Sequence, residues 1–166
     1  MSNIEKMRSK KTPPLSSASV GKPLARYAAS KRVGDFILMS GVIAVDPQAH
    51  KVVSEYSDLA DPVRQQLGET GELSVDIKEQ AIRVQSWFVL QRIEQCIQEH
   101  GGTMRDVVKL VQYFKNLDHY PQYKRIRDMF YPSDPPVSTV VQVSAMLPTD
   151  EVLIEVEATA YLPLVK

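Results

Sequence analysis

One cysteine, Cys96, stands among 166 residues, so no internal disulfide can form and no group of thiolates can hold a metal. Histidine is nearly as scarce. His50, His100 and His119 fall in a turn, at a helix end and at a helix start, with none of the spacings of a zinc site. An excess of either charge is also missing. Twenty Lys and Arg balance twenty Asp and Glu, so no net field draws the chain to nucleic acid or an anionic membrane, and no basic stripe with interleaved aromatics points to RNA. No apolar run approaches the ~20 residues of a membrane helix, and the N-terminus lacks the apolar centre of a secretory signal. A cytoplasmic protein without membrane or nucleic-acid partners is the expectation. Glycine-rich phosphate loops, G-x-S-x-G elbows and nucleotide fingerprints are absent as well.

What the chain does have is enough apolar content, 43%, for one real core. Residues 1–24 are rich in Lys, Ser and Pro without period 2 or period 3.6, and are expected to be a flexible tail before one α+β domain over residues 25–166. There is no internal repeat. Phe36 to Val45 reads as a long apolar strand interrupted at Ser40-Gly41, which marks either a β-bulge or a place where a ligand approaches the backbone. Asp46-Pro47-Gln48-Ala49 makes a turn, and Lys51-Val52-Val53 returns as a short partner strand. Ser54 to Ser74 is a long polar connection.

The clearest helix follows. Asp76 with Glu79 makes a capping-box signature, and Ile82, Ser86, Val89, Ile93, Cys96 and Ile97 trace one face, widened by Trp87 and Leu90, until Gly101-Gly102 ends it. Cys96 on that face reads as a small buried hydrophobe. Asp106 to Lys115 is a further strand. Asp118 is expected to cap a second helix through Phe130 that buries Tyr123, Ile126 and Phe130.

Pro135 to Pro163 reads as two strands joined by a Met-Leu-Pro-Thr-Asp-Glu turn. In the second, Ile154, Val156, Ala158 and Ala160 share one face, while Leu153, Glu155, Glu157, Thr159 and Tyr161 share the other. Two carboxylates on one side of a strand both face water or both line a cavity. The expected order is β-β-α-β-α-β-β, a mixed sheet with two helices on one face. The other face is too apolar to leave bare, which predicts oligomerisation through it.

Several separated blocks then occur in a telling order: Arg32-Val33-Gly34-Asp35-Phe36, Met39-Ser40-Gly41, Tyr123 with Phe130-Tyr131-Pro132, and Pro136 to Ala160 ending in Ile154-Glu155-Val156-Glu157-Ala158. Over residues 26–163 the chain resembles the reactive intermediate (enamine/imine) deaminase, or Rid, family. The resemblance implies a chorismate-mutase-like α+β fold and a homotrimer with clefts between subunits. It also implies cofactor-independent hydrolysis of a small enamine or imine carrying a carboxylate to a keto acid and ammonia.

Position by position, Tyr27 matches the family's cleft tyrosine, Ser40 and Gly41 its Ser-Gly pair, and Glu155 the glutamate that holds the attacking water with a backbone carbonyl one strand over, here Val140. Glu157 matches a second glutamate. Where active imine deaminases carry Pro-Ala-Arg to clamp a substrate carboxylate, this chain has Pro136-Val137-Ser138. Ser138 has no charge, so the chain is a divergent member lacking the clamp, and a bidentate pair is lost for any carboxylate substrate. Two functions follow, with the ribonuclease activity of some relatives a third that balanced charge and the lack of a basic stripe make the least favoured. One is hydrolysis of a substrate that is neutral, larger or anchored elsewhere, by Arg26, Lys109 or Lys115, aminomuconate-like compounds included, with Ser54 to Ser74 shaping the cleft. The other is a non-catalytic trimer that binds a small metabolite.

Overall fold

The computed structural model describes residues 25–164; the expected tail over residues 1–24 lies outside them. Eight strands are present: β1 Ser30–Val33, β2 Phe36–Met39, β3 Val42–Ile43, β4 Val45–Asp46, β5 Lys51–Val52, β6 Val107–Phe114, β7 Val137–Gln142 and β8 Ile154–Tyr161. The α-helices are α1 Asp61–Gln66, α2 Leu73–Asp76, α3 Gln80–Glu99 and α4 Tyr120–Phe130. The main sheet runs β1-β2-β8-β6-β7, with β3 also paired to β8, and β4 and β5 form a separate hairpin. Only the β6–β7 pairing is parallel, which makes the sheet mixed. α4 is the crossover that a parallel pair requires.

β1 is a strand that composition does not announce. SKRV is mostly polar, yet Gly34, at φ 58°, closes a tight turn that folds it back on β2.

Alternation along β8 places Ile154, Val156, Ala158 and Ala160 in the core under the helices, as the sequence pattern requires. On α3 the expected stripe is buried, including Cys96, and Tyr123, Ile126 and Phe130 of α4 are buried with it. Two expected helix starts differ. α3 begins at Gln80, not at Asp76, because the Asp76 carboxylate is already occupied by the Thr70 and Gly71 backbone N–H groups and the Thr70 hydroxyl. Asp118 does not cap α4. It sits in a short 3-10 turn whose cap is Asn116, and the helix follows from Tyr120 with Pro121 in its first turn.

The closing strands are not a pair. β6 lies between β7 and β8, bonded in parallel to the one and antiparallel to the other. The 143–153 segment therefore crosses over β6 and is not a hairpin turn. It is tied down by Gln85 of α3, a wholly buried polar side chain that periodicity alone cannot single out. Its amide N–H groups donate to Ser54 Oγ at 2.9 Å and to the Glu151 carbonyl at 2.8 Å, and its oxygen accepts from Leu153 N–H at 2.8 Å. Every polar group of this amide thus has a partner. Gln85→Leu leaves them unsatisfied in the interior and is expected to destabilise the fold by about 2–3 kcal/mol, read as a lower urea midpoint at unchanged slope. An unchanged midpoint would show that the crossover is held by other contacts.

Among the described residues, the opposite sheet face carries no helix. Phe36, Leu38 and Tyr161 stand 46%, 46% and 44% exposed there, with the Phe36 and Tyr161 rings 5.3 Å apart. Leu153, expected on this face, precedes β8 and packs against the core.

Candidate active site

The bulge at Ser40-Gly41 builds the site. Leu38 pairs with Thr159, and Val42 pairs with Val156. Four steps along one strand thus match three along β8, so one residue is extra. The insertion reverses the alternation. Leu38 faces the open side before it, and Ile43, not Val42, faces that side after it, next to Glu155 in register. Both readings of Ser40-Gly41 meet here, because the bulge also brings another group against the backbone. That group is the Glu155 carboxylate. A methyl placed on Gly41 would fall within the contact radius of Glu155 Oε1. Gly41 is not at positive φ, unlike Gly34, so space alone requires glycine.

Around this contact lies an open cleft of about 580 Å³ lined by Ala25, Tyr27, Ser40, Gly41, Ile43, Leu147, Pro148, Glu155 and Glu157. Its size suits a small-molecule ligand. Burial, reinforced by the neighbouring Glu157 charge, pushes the Glu155 carboxyl above its ordinary value. Neither Glu155 nor Glu157 has a hydrogen-bond or ion-pair partner among the described residues. The Ser40 hydroxyl donates to the Ala28 carbonyl at 2.7 Å and Ser40 N–H to the Ala29 carbonyl at 2.9 Å, which fixes the bulge to the segment bearing Tyr27. Tyr27, 47% exposed, forms the mouth.

Four expected site residues thus converge: Tyr27, Ser40, Gly41 and Glu155. Three do not. Arg26 is exposed and absent from the lining. Val140 lies two strands from Glu155, not one, because β6 intervenes. Ser138, in register with buried Leu110, donates its hydroxyl to Gln112 Oε1 at 2.9 Å, on the helix side of the sheet. Of the alternative anchors, Lys115 is paired with Asp150 at 2.7 Å. The long connection does not line the cleft either. Tyr56, Leu59, Val63 and Leu67 join the helix-side core, and Arg83 of α3 donates to the Leu67 carbonyl at 3.2 Å. Sequence reasoning missed Ala25, Ile43, Leu147 and Pro148. Ile43 was recoverable from the parity change a bulge imposes; Leu147 and Pro148 sit in an aperiodic crossover that carries no such signal.

Fold and site together define a small α+β protein with a half-buried carboxylate, unpaired among the described residues, at a strand bulge on the open face of a mixed sheet. The endoribonuclease L-PSP family pattern matches residues 18–162, and the chain belongs to that family, which includes the Rid proteins. A RutC family protein of Pyrococcus abyssi is 33% identical over 140 residues, covering 84% of this chain and 89% of that protein. A solved structure from Klebsiella pneumoniae, described as an endoribonuclease, is 57% identical with a TM-score of 0.81, covering 82% of this chain and all of that one. RidA from a Psychrobacter species shares the fold at 18% identity and a TM-score of 0.63, over 84% of this chain and 91% of its own. Among the described residues, no helix is long and apolar enough to cross a membrane.

Proposed function

We propose that this chain hydrolyses the C=N bond of a small enamine or imine, without a cofactor, and releases ammonia. The observation that carries the reading is the Glu155 carboxylate, held over Gly41 with no partner among the described residues at the wall of a ligand-sized cleft. An unpaired carboxylate with a raised pKa is a suitable general base.

The enamine first takes a proton on carbon and becomes the iminium. Water, hydrogen-bonded to Glu155, then adds through oxygen to the iminium carbon while its proton passes to Glu155. The C=N π pair moves onto nitrogen and leaves a neutral carbinolamine. Transfer of the proton from Glu155 to nitrogen makes the leaving group ammonium-like. The C–N bond then breaks as the hydroxyl oxygen forms C=O and gives up its proton to solvent. Tyr27 and the lone pairs of Ser40 position the substrate.

The assembly belongs to the same proposal. A homotrimer packed through the open sheet face would cover Phe36, Leu38 and Tyr161. It would also close the cleft, and only a neighbouring copy can supply the Val140 carbonyl, since in its own chain it lies two strands from Glu155. Sedimentation equilibrium should give the mass of three chains.

The deciding experiment is ammonia release from imines generated in place by an amine or amino-acid oxidase, compared with buffer. Acceleration dependent on this protein supports the hydrolase. No acceleration of any imine favours the alternative, a non-catalytic member that binds a small metabolite in the same cleft.

A further inference from the structure

The polar side chains that this chain itself contributes to the cleft are almost all acceptors. Ionised Glu155 and Glu157 only accept hydrogen bonds. Ser40 has a single proton, and that proton is committed to the Ala28 carbonyl at 2.7 Å, so its oxygen offers the cleft lone pairs only. Among the described residues of this chain, Tyr27 is the one lining side chain with a proton left to give. Among the described residues no Lys, Arg, His, Asn, Gln or Trp lines this space, and the other walls are Ala25, Ile43, Leu147 and Pro148. The two glutamates lack partners within the described chain, so their field is not cancelled locally.

A carboxylate placed here meets two like charges and one phenol. An ammonium or iminium meets two counter-charges and an orphan lone pair, with an apolar wall for its carbon body. Partial burial of Glu155 strengthens both the repulsion and the attraction relative to bulk water, while exposed Glu157 adds a solvent-screened charge. Ser138 strengthens the contrast, because it brings no charge and spends its own proton on Gln112.

We infer that the cleft selects a small, hydrogen-bond-donating cationic nitrogen compound, a primary ammonium or iminium on an apolar body without a carboxylate. The inference takes its site from the proposed function and narrows the substrate to imines derived from simple amines. Compounds bearing carboxylates, aminomuconate-like molecules among them, are disfavoured. The class of reaction that must supply such a substrate is two-electron oxidation of an amine, or dehydration of a β-hydroxy amine, that has no acid group.

Binding separates this inference from the catalytic reading. Isobutylammonium and isovalerate carry the same branched body with opposite charge, and ligand-observed NMR titrations against the full-length protein report both affinities. Isobutylammonium is expected to bind about tenfold or more tightly than isovalerate. Glu157→Gln is expected to shrink that ratio at least about threefold, while circular dichroism confirms an unchanged fold. Equal or tighter binding of isovalerate, or no measurable binding of isobutylammonium, overturns the inference. The kinetic arm compares imines generated from isobutylamine and from valine. Preference for the valine-derived imine would overturn the cationic selectivity and leave the hydrolase intact. Ammonium-selective binding without turnover of either imine would leave the selectivity intact and remove the hydrolase.

Discussion

Glu155→Gln is expected to lower imine-dependent ammonia release by about 10²–10⁴-fold with the assembly intact. The amide keeps the shape of the side chain and its place over Gly41, but it cannot take a proton from water. The pH dependence of the parent protein should carry the same signature. The base works ionised, and burial together with Glu157 raises its pKa. Activity should therefore fall, as pH is lowered, at a value above that of an ordinary glutamate. Glu157→Gln removes the second cause and should move that limb to lower pH. Tyr27 is the remaining titratable group on the cleft lining, and it faces the same space.

Stability should move the opposite way. A carboxyl whose folded pKa is raised binds its proton more tightly in the native state, so stability declines as pH rises from the unfolded to the folded value. The cost persists at neutral pH. The glutamine variant lacks it and should melt at a higher temperature than the parent at pH 7, the difference shrinking at acidic pH where the parent carboxyl is protonated. Full turnover by Glu155→Gln would remove this residue from the chemistry. Lower thermal stability at neutral pH would show that the carboxylate is stabilised by groups outside its present surroundings.

Gly41→Ala is the second large effect. The new methyl occupies the volume now taken by Glu155 Oε1, so either the carboxylate swings away or the bulge opens. Displacing a catalytic group by about 1 Å can cost ~10²-fold, and forcing a methyl into a filled space costs about 1–3 kcal/mol. Turnover should fall by about 10²-fold with a modest drop in melting temperature. A double-mutant cycle isolates the cause. In an Glu155→Ala background the space is vacant, and Gly41→Ala should then be nearly silent in stability. An undiminished penalty there would mean that glycine is required by the backbone and not by its neighbour.

Why some of this was legible from residue order alone can be seen by comparing β8 with β7. β8 alternates cleanly, so both its core residues and the shared face of Glu155 and Glu157 follow from a period of two. α3 and α4 declare their buried stripes for the same kind of reason, a period of 3.6. β7 was equally recognisable as a strand, yet its neighbour was not, because a short connection to β8 is compatible with a hairpin or with a crossover over β6. With β6 between them, Val140 stands two strands from Glu155. Asp76 shows the same limit at a helix end: its capping partner was chosen by Thr70 and Gly71, which the S/T/D-x-x-E pattern does not include.

Residue order by itself therefore determined the element types, the faces of β8, α3 and α4, the likeness to the deaminases, and Glu155 as the side chain to examine. Local periodicity and covalent neighbours are enough for these. Tertiary structure alone decided that β6 separates β7 from β8, that the bulge turns Ile43 toward Glu155, and that Gly41 yields its side-chain space to a carboxylate. It also decided that Ser138 turns to Gln112, away from the cleft face. Each depends on which distant segments share a sheet edge or a few cubic ångströms, and such long-range choices are set by the packing of the whole core, with no trace in any one stretch of the chain.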